Sequence, residues 1–323
     1  MKRVLVTHRL TENTQKRLQS ITEHQIDFPL NDKLTREELL QRAKGVHGIL
    51  CLTTDRIDRQ VFEAAGPSLK VVSTMSVGYD HIDLAEAKQR QVVVGHTPDV
   101  LTDAVADLGV ALVLLTSRRL IKAAEVARQC QWTGCQPNFM LGNQLTGKVV
   151  GILGLGRIGE GMAHRLRGFG VSRVLYSSRR PNPDAALRVC ANFVDFDVLL
   201  READVICICC SLNDSTFHLF DYDAFHMMKR SAILVNVARG DIIKQDDLVK
   251  ALSNGLIKAA GLDVTSPEPL PADHPLFSLE NCVILPHIGS ATVEARDAMG
   301  HLAIDNVLAG IQGNPLEFPV SLH

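Results

Sequence analysis

Lys148 to Gly159, KVVGILGLGRIG, is a short apolar, β-branched run that empties directly into the glycine pattern Gly154-x-Gly156-x-x-Gly159. That order reads as strand, tight turn, helix. Glycine at the first position permits the turn, at the second lets a backbone approach a pyrophosphate, and at the third lets the helix pack close to its strand. Phosphates would then sit on the free N–H groups at the helix start, where the dipole favours negative charge, so Gly154, Gly156, Arg157, Ile158 and Gly159 are candidate cofactor contacts. The helix is expected over Glu160 to Phe169. A second strand, Ser172 to Tyr176, follows it and completes the βαβ unit that turns a weak glycine pattern into a dinucleotide signal.

Outward from that stretch, composition narrows the field. At 323 residues and 46 % hydrophobic content the chain can bury a large core, and its length suggests two domains. A formal net charge of -2 with both signs interspersed provides no basic footprint for nucleic acid and no polybasic membrane patch. The longest apolar run, Leu108 to Leu115, is short of the ~20 residues that cross a bilayer. The start MKRVLVTHRL lacks a signal-peptide core, so a soluble, cytoplasmic protein is expected. Eight cysteines include the spacing Cys207-x-x-Cys210, but these lie in the strand-like run DVICICC. A metal or redox pair needs a turn or helix start there, so buried structural thiols and no metal are expected.

The first hundred residues alternate strand and helix signals: RVLVT, the capping-box spacing of Thr35 and Glu38, VHGILCL, a helix over 58–65 closed by Gly66, a strand over 69–74, and one over 92–94. Repeated β-α units predict a parallel, doubly wound α/β sheet whose ligands bind beyond the C-terminal strand ends. Leu52 to Thr54 and Ser76 to Gly78 are therefore candidate binding turns. A domain crossing is expected at Thr97 to Val100, and an apolar helix over Asp103 to Leu115 follows it. The alternation resumes at Lys148 and runs through YSSRR, DVICIC, AILVNV, AGLDV and NCVILP. A closing helix, Ser290 to Gln312, with Gly313-Asn314-Pro315 as its stop, is expected to return to the first domain. The expected domains are thus 1–98 with 290–323, and 99–289.

Three polar residues follow apolar strands in the second half: Arg239 after AILVNV, Glu268 in SPEPLP, and His287 after NCVILP. Strand ends of one sheet converge on the crevice where a nicotinamide would lie. Reducing a 2-keto acid needs a hydride, a proton for the carbonyl oxygen, and a cation for the carboxylate. Histidine suits the proton, Glu268 can hold the imidazolium, and the planar fork of Arg239 can bind the carboxylate.

The chain resembles the D-isomer-specific 2-hydroxyacid dehydrogenases over nearly its full length, and among them the eukaryotic glyoxylate/hydroxypyruvate reductases. The resemblance is carried by STMSVGYDHID (73–83), HTPDVLTD (96–103), GLGRIG (154–159), NVARGD (236–241), GLDVTSPEPLP (261–271) and ILPHIGSAT (284–292). It implies a flavodoxin-like substrate domain and a Rossmann cofactor domain with a cleft between them, and a homodimer built largely on the cofactor domain. It implies Val77, Gly78, Arg239, His287 and Ser290 around a small 2-keto or 2-hydroxy acid, with His287 the proton donor and Glu268 its partner. Ser211, Val237, Asp263 and Gly289 would line the cofactor, with Asp263 near the carboxamide. Two positions depart from the pattern: Cys135, where a second aromatic can follow Trp132, and Val105, where many relatives carry threonine.

The end of the second Rossmann strand, Leu175-Tyr176-Ser177-Ser178-Arg179-Arg180, bears on the choice of cofactor. An NAD site normally has a carboxylate about 20 residues beyond the glycines, for the ribose hydroxyls. Ser177 stands there instead, and Arg179 and Arg180 offer charge to a 2′-phosphate, so NADPH is the expected cofactor. A 3-phosphoglycerate dehydrogenase is the enzymatic alternative, although the turn after the second strand has only Arg56 for a phosphate. A non-catalytic co-repressor of the same fold is the other alternative.

Overall fold

A computed structural model describes Met1 to Leu322; His323, the last residue of the expected 290–323 segment, lies outside the described residues. The chain divides into two compact units, Met1–Leu101 with the chain from Ser290 onward, and Thr102–Gly289. The crossing thus falls just after Thr97–Val100, because Leu101 is still packed and helix begins at Thr102.

The first unit opens with β1 (Lys2–Val6), α1 (Glu12–Gln19), β2 (His24–Asp27), α2 (Arg36–Arg42), β3 (Gly48–Cys51), α3 (Arg59–Ala65), β4 (Val71–Thr74), α4 (Leu84–Gln89) and β5 (Val93–Gly95). The five strands pair in parallel in the order β2-β1-β3-β4-β5, the flavodoxin-like arrangement. β3 and β4 are buried at every position, as expected of strands covered on both faces. Thr35 and Glu38 form the reciprocal capping box at the start of α2, and Asp58 caps α3. β2, sequence HQID, is absent from the sequence reading: as the edge strand it keeps polar, half-exposed positions and so lacks an apolar run.

The second unit holds α5 (Thr102–Arg118), α6 (Leu120–Arg128), β6 (Val149–Leu153), α7 (Arg157–Arg167), β7 (Arg173–Ser177), α8 (Pro183–Val189), β8 (Ala191–Phe193), α9 (Phe196–Glu202), β9 (Val205–Ile208), α10 (Tyr222–Met227), β10 (Ile233–Asn236), α11 (Gln245–Ser253), β11 (Ala259–Leu262) and β12 (Cys282–Ile284). Its parallel order, β12-β11-β10-β9-β6-β7-β8, is a Rossmann sheet whose direction of winding reverses between β6 and β9. The helix after the glycines starts at Arg157, three residues before the expected Glu160, because the turn itself supplies the first helical residues. Two elements were not legible. β8 has three residues at the sheet edge, and α6 follows Arg119 in the left-handed region without a side-chain cap, so neither a run nor a start signal marks them. In β9 burial pushes the Cys207 thiol up to about 12, and all eight cysteines are free.

The chain returns to the first unit in α12 (Val293–Gln312), capped by Thr292 and ended by left-handed Gly313. It lies against β3, β4 and β5 through Asn306, Val307, Gly310 and Ile311, closing a face that the first hundred residues leave bare. Among the described residues no helix is long and apolar enough to cross a membrane.

Candidate active site

The glycine turn leaves no room for side chains on one side and is open on the other. A Cβ at Gly154 would meet Cys210 Cα at 2.7 Å and one at Gly159 would meet Gly154 O at 2.1 Å, whereas one at Gly156 would meet nothing within 4 Å. The turn is pinned to β7 by Gly154 N–H donating to Ser177 O at 2.8 Å. Gly156 caps α7 without a side-chain bond, so the N–H groups of the first helical turn face open space. A pyrophosphate fits this cradle on the ground of its donors and its free space.

Beyond β7 the chain turns through Ser178, Arg179 and Arg180. Ser177 is nearly buried, and both arginines are exposed. The Ser178 hydroxyl closes the turn on Arg180 O at 2.6 Å. Asn182 then ties the turn back: its Nδ2 donates to Leu155 O at 2.9 Å and its N–H to the Tyr176 hydroxyl at 3.1 Å. The arginine pair is thereby held beside the glycine turn, with serine where a ribose-binding carboxylate would stand.

Three neighbouring strands, β10, β11 and β12, end beside one another and project Arg239, Glu268 and His287 from the same sheet edge. Asn236, fully buried, shapes the first of these turns by accepting from Ala238 N–H at 3.0 Å and donating to Arg239 O at 2.9 Å. Glu268 Oε2 meets His287 Nδ1 at 2.8 Å, and its Oε1 accepts from Thr265 N–H at 3.0 Å. Burial pushes the Glu268 carboxyl up, but the His287 contact, the Thr265 N–H and the Arg239 charge outweigh it and hold it below its ordinary value. With Nδ1 engaged, Nε2 is the exchangeable atom of His287.

His287 sits in the left-handed region with φ 54°, a conformation that a non-glycine residue keeps only when its surroundings enforce it. Asp263 provides the enforcement. Its carbonyl accepts from His287 N–H at 2.9 Å, and its two carboxylate oxygens accept from Ile288 N–H and Gly289 N–H, each at 2.8 Å. Burial raises the Asp263 carboxyl above its ordinary value against the opposing effect of those two bonds. Val105 reaches this corner too: a Cβ on Gly289 would touch its Cγ2 at 3.4 Å. Val237 is nearly buried after β10, and exposed Ser211 follows β9, its carbonyl receiving the Thr216 hydroxyl at 2.8 Å.

In the first unit the turn after β4 is built from inside. Ser76 O accepts from Thr97 N–H at 2.8 Å, Val77 O meets His96 Nδ1 at 2.8 Å, and Gly78 O accepts the Ser76 hydroxyl at 2.6 Å. In a trans peptide the N–H points opposite to the carbonyl, so Val77 and Gly78 direct their N–H groups away from these partners. Such paired donors suit a carboxylate. Ser290 begins the return segment, and Trp132 and Cys135 lie exposed in the loop after α6. The sequence marks Ser76 only as the start of the Ser76–Gly78 turn and gives no role to His96, Asn236 or Asn182; the signal for Ser76, His96 and Asn236 is their place within matching stretches.

A pyrophosphate cradle and a carboxylate-backed histidine on one Rossmann sheet edge mark a nicotinamide-dependent oxidoreductase, because the acid serves a substrate lying against the bound ring. Residues 110–289 match the family model described as D-isomer specific 2-hydroxyacid dehydrogenase, NAD binding domain, and the chain belongs to that family. It is 46 % identical over 321 residues to the human protein named glyoxylate reductase/hydroxypyruvate reductase, covering 99 % of this chain and 98 % of that one. The mouse protein of the same name is 49 % identical over 292 residues, 90 % of this chain and 89 % of its own. Among solved structures, the NADPH-dependent glyoxylate/hydroxypyruvate reductase of Sinorhizobium meliloti, in complex with NADP and malonate, superimposes with a TM-score of 0.86 at 32 % identity. It covers 99 % of this chain and 97 % of its own.

Proposed function

We propose that the protein reduces glyoxylate and hydroxypyruvate to glycolate and D-glycerate, using NADPH. The observation that carries this reading is the Glu268–His287 pair at 2.8 Å on the sheet edge that also holds Arg239 and the glycine turn. The names borne by the human and mouse relatives support the choice of substrate. In this reading the Thr102–Gly289 unit binds the cofactor and the other unit contributes substrate contacts.

Gly154, Gly156, Arg157, Ile158 and Gly159 hold the pyrophosphate, while Ser211, Val237 and Gly289 line the remainder of the cofactor. Asp263 fixes Gly289 and retains lone pairs for the carboxamide. When bound, the cofactor supplies the hydride that goes to the carbonyl carbon. Arg239 binds the substrate carboxylate, and the N–H groups of Val77 and Gly78, with Ser290, are the substrate contacts assigned to the other unit. His287 gives its Nε2 proton to the carbonyl oxygen, and Glu268 keeps the imidazolium aligned through Nδ1. The proton is then restored from water.

Arg179 and Arg180 take the 2′-phosphate, and Ser177 leaves it unopposed. The test is kcat/KM for glyoxylate and hydroxypyruvate with each cofactor, in the native protein and in Ser177→Asp/Arg179→Ala. The native enzyme favours NADPH, and the double variant moves toward NADH with little change at the keto-acid site. A native preference for NADH, or an unmoved preference in the variant, rules out the cofactor assignment. Absence of turnover with either substrate rules out the reductase.

A homodimer belongs to the same reading. Among the described residues edge strand β12 pairs with β11 alone, and beside it lies a hollow of about 700 Å³ lined by Ile121, Leu141, Phe277 and Val283. Its rim carries Glu280 paired with Arg119 and Lys122.

A further inference from the structure

Glu268 lies on the exposed stretch 267–269 of a loop rooted at buried Thr265, and its position is constrained from outside that stretch. The constraint comes from the segment that follows Arg239. Gln245, the first residue of α11, spans the loop backbone with both ends of its amide: Nε2 donates to Ser266 O at 2.7 Å and Oε1 accepts from Ser266 N–H at 3.1 Å. This is the bonding that a strand neighbour would supply, here supplied by one side chain. It also fixes the amide orientation, since the Ser266 N–H must meet an oxygen and its carbonyl an N–H.

Two further contacts bind the same segments. The Ser266 hydroxyl donates to Asp241. At Gly240 the two backbones come so close that a Cβ would stand 2.0 Å from Thr265 O, so no other residue fits without moving the loop. Thr265 in turn supplies the N–H that Glu268 Oε1 accepts and donates its hydroxyl to Pro267 O at 2.9 Å. The chain of contacts therefore runs from Gln245 through Ser266 and Thr265 to Glu268 and His287.

We infer that Gln245 is a positioning residue: by bonding both backbone groups of Ser266 it locks the Glu268 loop to the turn bearing Arg239, setting the geometry of the Glu268–His287 pair. The inference rests on the reading of that pair as the acid–base centre. The charged and titratable groups around the latch are His287, Arg239 and Asp263 about Glu268, and Asp241 and His274 about Gln245 and Ser266, with Lys244 turned outward to Asp247.

The decisive variant is Gln245→Met, which keeps the length of the side chain and removes its hydrogen bonds. Loss of two such bonds at a catalytic support lowers kcat by roughly tenfold. KM for NADPH stays near its native value. The acid side of the pH profile supplies the readout that packing alone leaves unmoved. Glu268 is held below its ordinary carboxyl value in the latched loop. Releasing the loop raises it, so the acid limb of kcat/KM moves to higher pH. Native kcat with a native acid limb overturns the inference, and so does a fall in kcat with that limb unmoved. Should Gln245→Met fail to fold, Gln245→Asn keeps a neutral amide but is one methylene too short to bond both backbone groups of Ser266: a shifted acid limb there supports the latch, an unshifted one overturns it. His287→Ala measured alongside separates the two claims. If that variant keeps native turnover, the reading of the acid–base centre fails; if it loses turnover while Gln245→Met keeps it, only the latch fails.

Discussion

The two parallel sheets end in turns of opposite design. In the first unit the turn after β4 buries its supports, with Ser76 and His96 bonded to the carbonyls of Gly78 and Val77, and what it offers outward is backbone N–H. In the second, the turns after β10, β11 and β12 offer side chains: the fork of Arg239, the carboxylate of Glu268 and the ring of His287. Short of proline, no substitution deletes a backbone donor; it is only misaimed by weakening what lies behind it. Side chains can be removed outright. Substitutions in the second unit should therefore abolish steps of the reaction, while those in the first should only loosen binding.

The sharpest way to break that contrast is His287→Ala, which should lower kcat for glyoxylate by roughly 10²- to 10⁴-fold, the scale of general-acid assistance. Binding of NADPH, followed by quenching of protein fluorescence, should be nearly unchanged. Near-native turnover would remove His287 from the proton transfer. Next in size is Arg239→Lys. An ammonium keeps the charge but not the two-pronged geometry, so kcat/KM should fall by about 10- to 100-fold, the equivalent of one or two charge-assisted hydrogen bonds. A lysine variant with native kcat/KM would show that charge alone suffices.

The smallest effect should come from Ser76→Ala, which frees Gly78 O and lets the N–H groups of the turn drift. The Thr74 hydroxyl, which Ser76 also meets, keeps its contact with His81; the lost bond to Gly78 O, about 1 kcal/mol, corresponds to a rise of roughly fivefold in KM for the keto acid, with kcat and the KM for NADPH preserved. A fall in kcat as large as that of Arg239→Lys would erase the distinction between the two units.

Much of the site was legible because strand ends are local signals. AILVNV, AGLDV and NCVILP announce buried strands, and whatever polar residue follows each of them must lie at the same sheet edge once the sheet is parallel. The shortfalls have equally local causes. β2 and β8 are edge strands without apolar runs, and α6 begins without a cap, so each lacks the pattern by which such elements are found. Asp263 was expected only to face the cofactor, yet both its oxygens receive N–H groups from the loop after β12. That bond pattern has no signature in sequence, because its partners stand 25 and 26 positions along the chain.

By itself the sequence determined the period of strands and helices, the glycine turn with its serine and arginines beyond it, and the family to which the chain belongs. These follow from the spacing of apolar residues and from backbone freedom at single positions, both short-range properties. The tertiary structure alone decided the register of the strands, the 2.8 Å approach within the expected Glu268–His287 pair, the enforced backbone of His287, and the grip of Gln245 on Ser266. The reason is physical: a hydrogen bond needs its partners within about 3 Å, and residues distant in sequence reach that distance only when burial of the sheet faces has fixed which strands are neighbours.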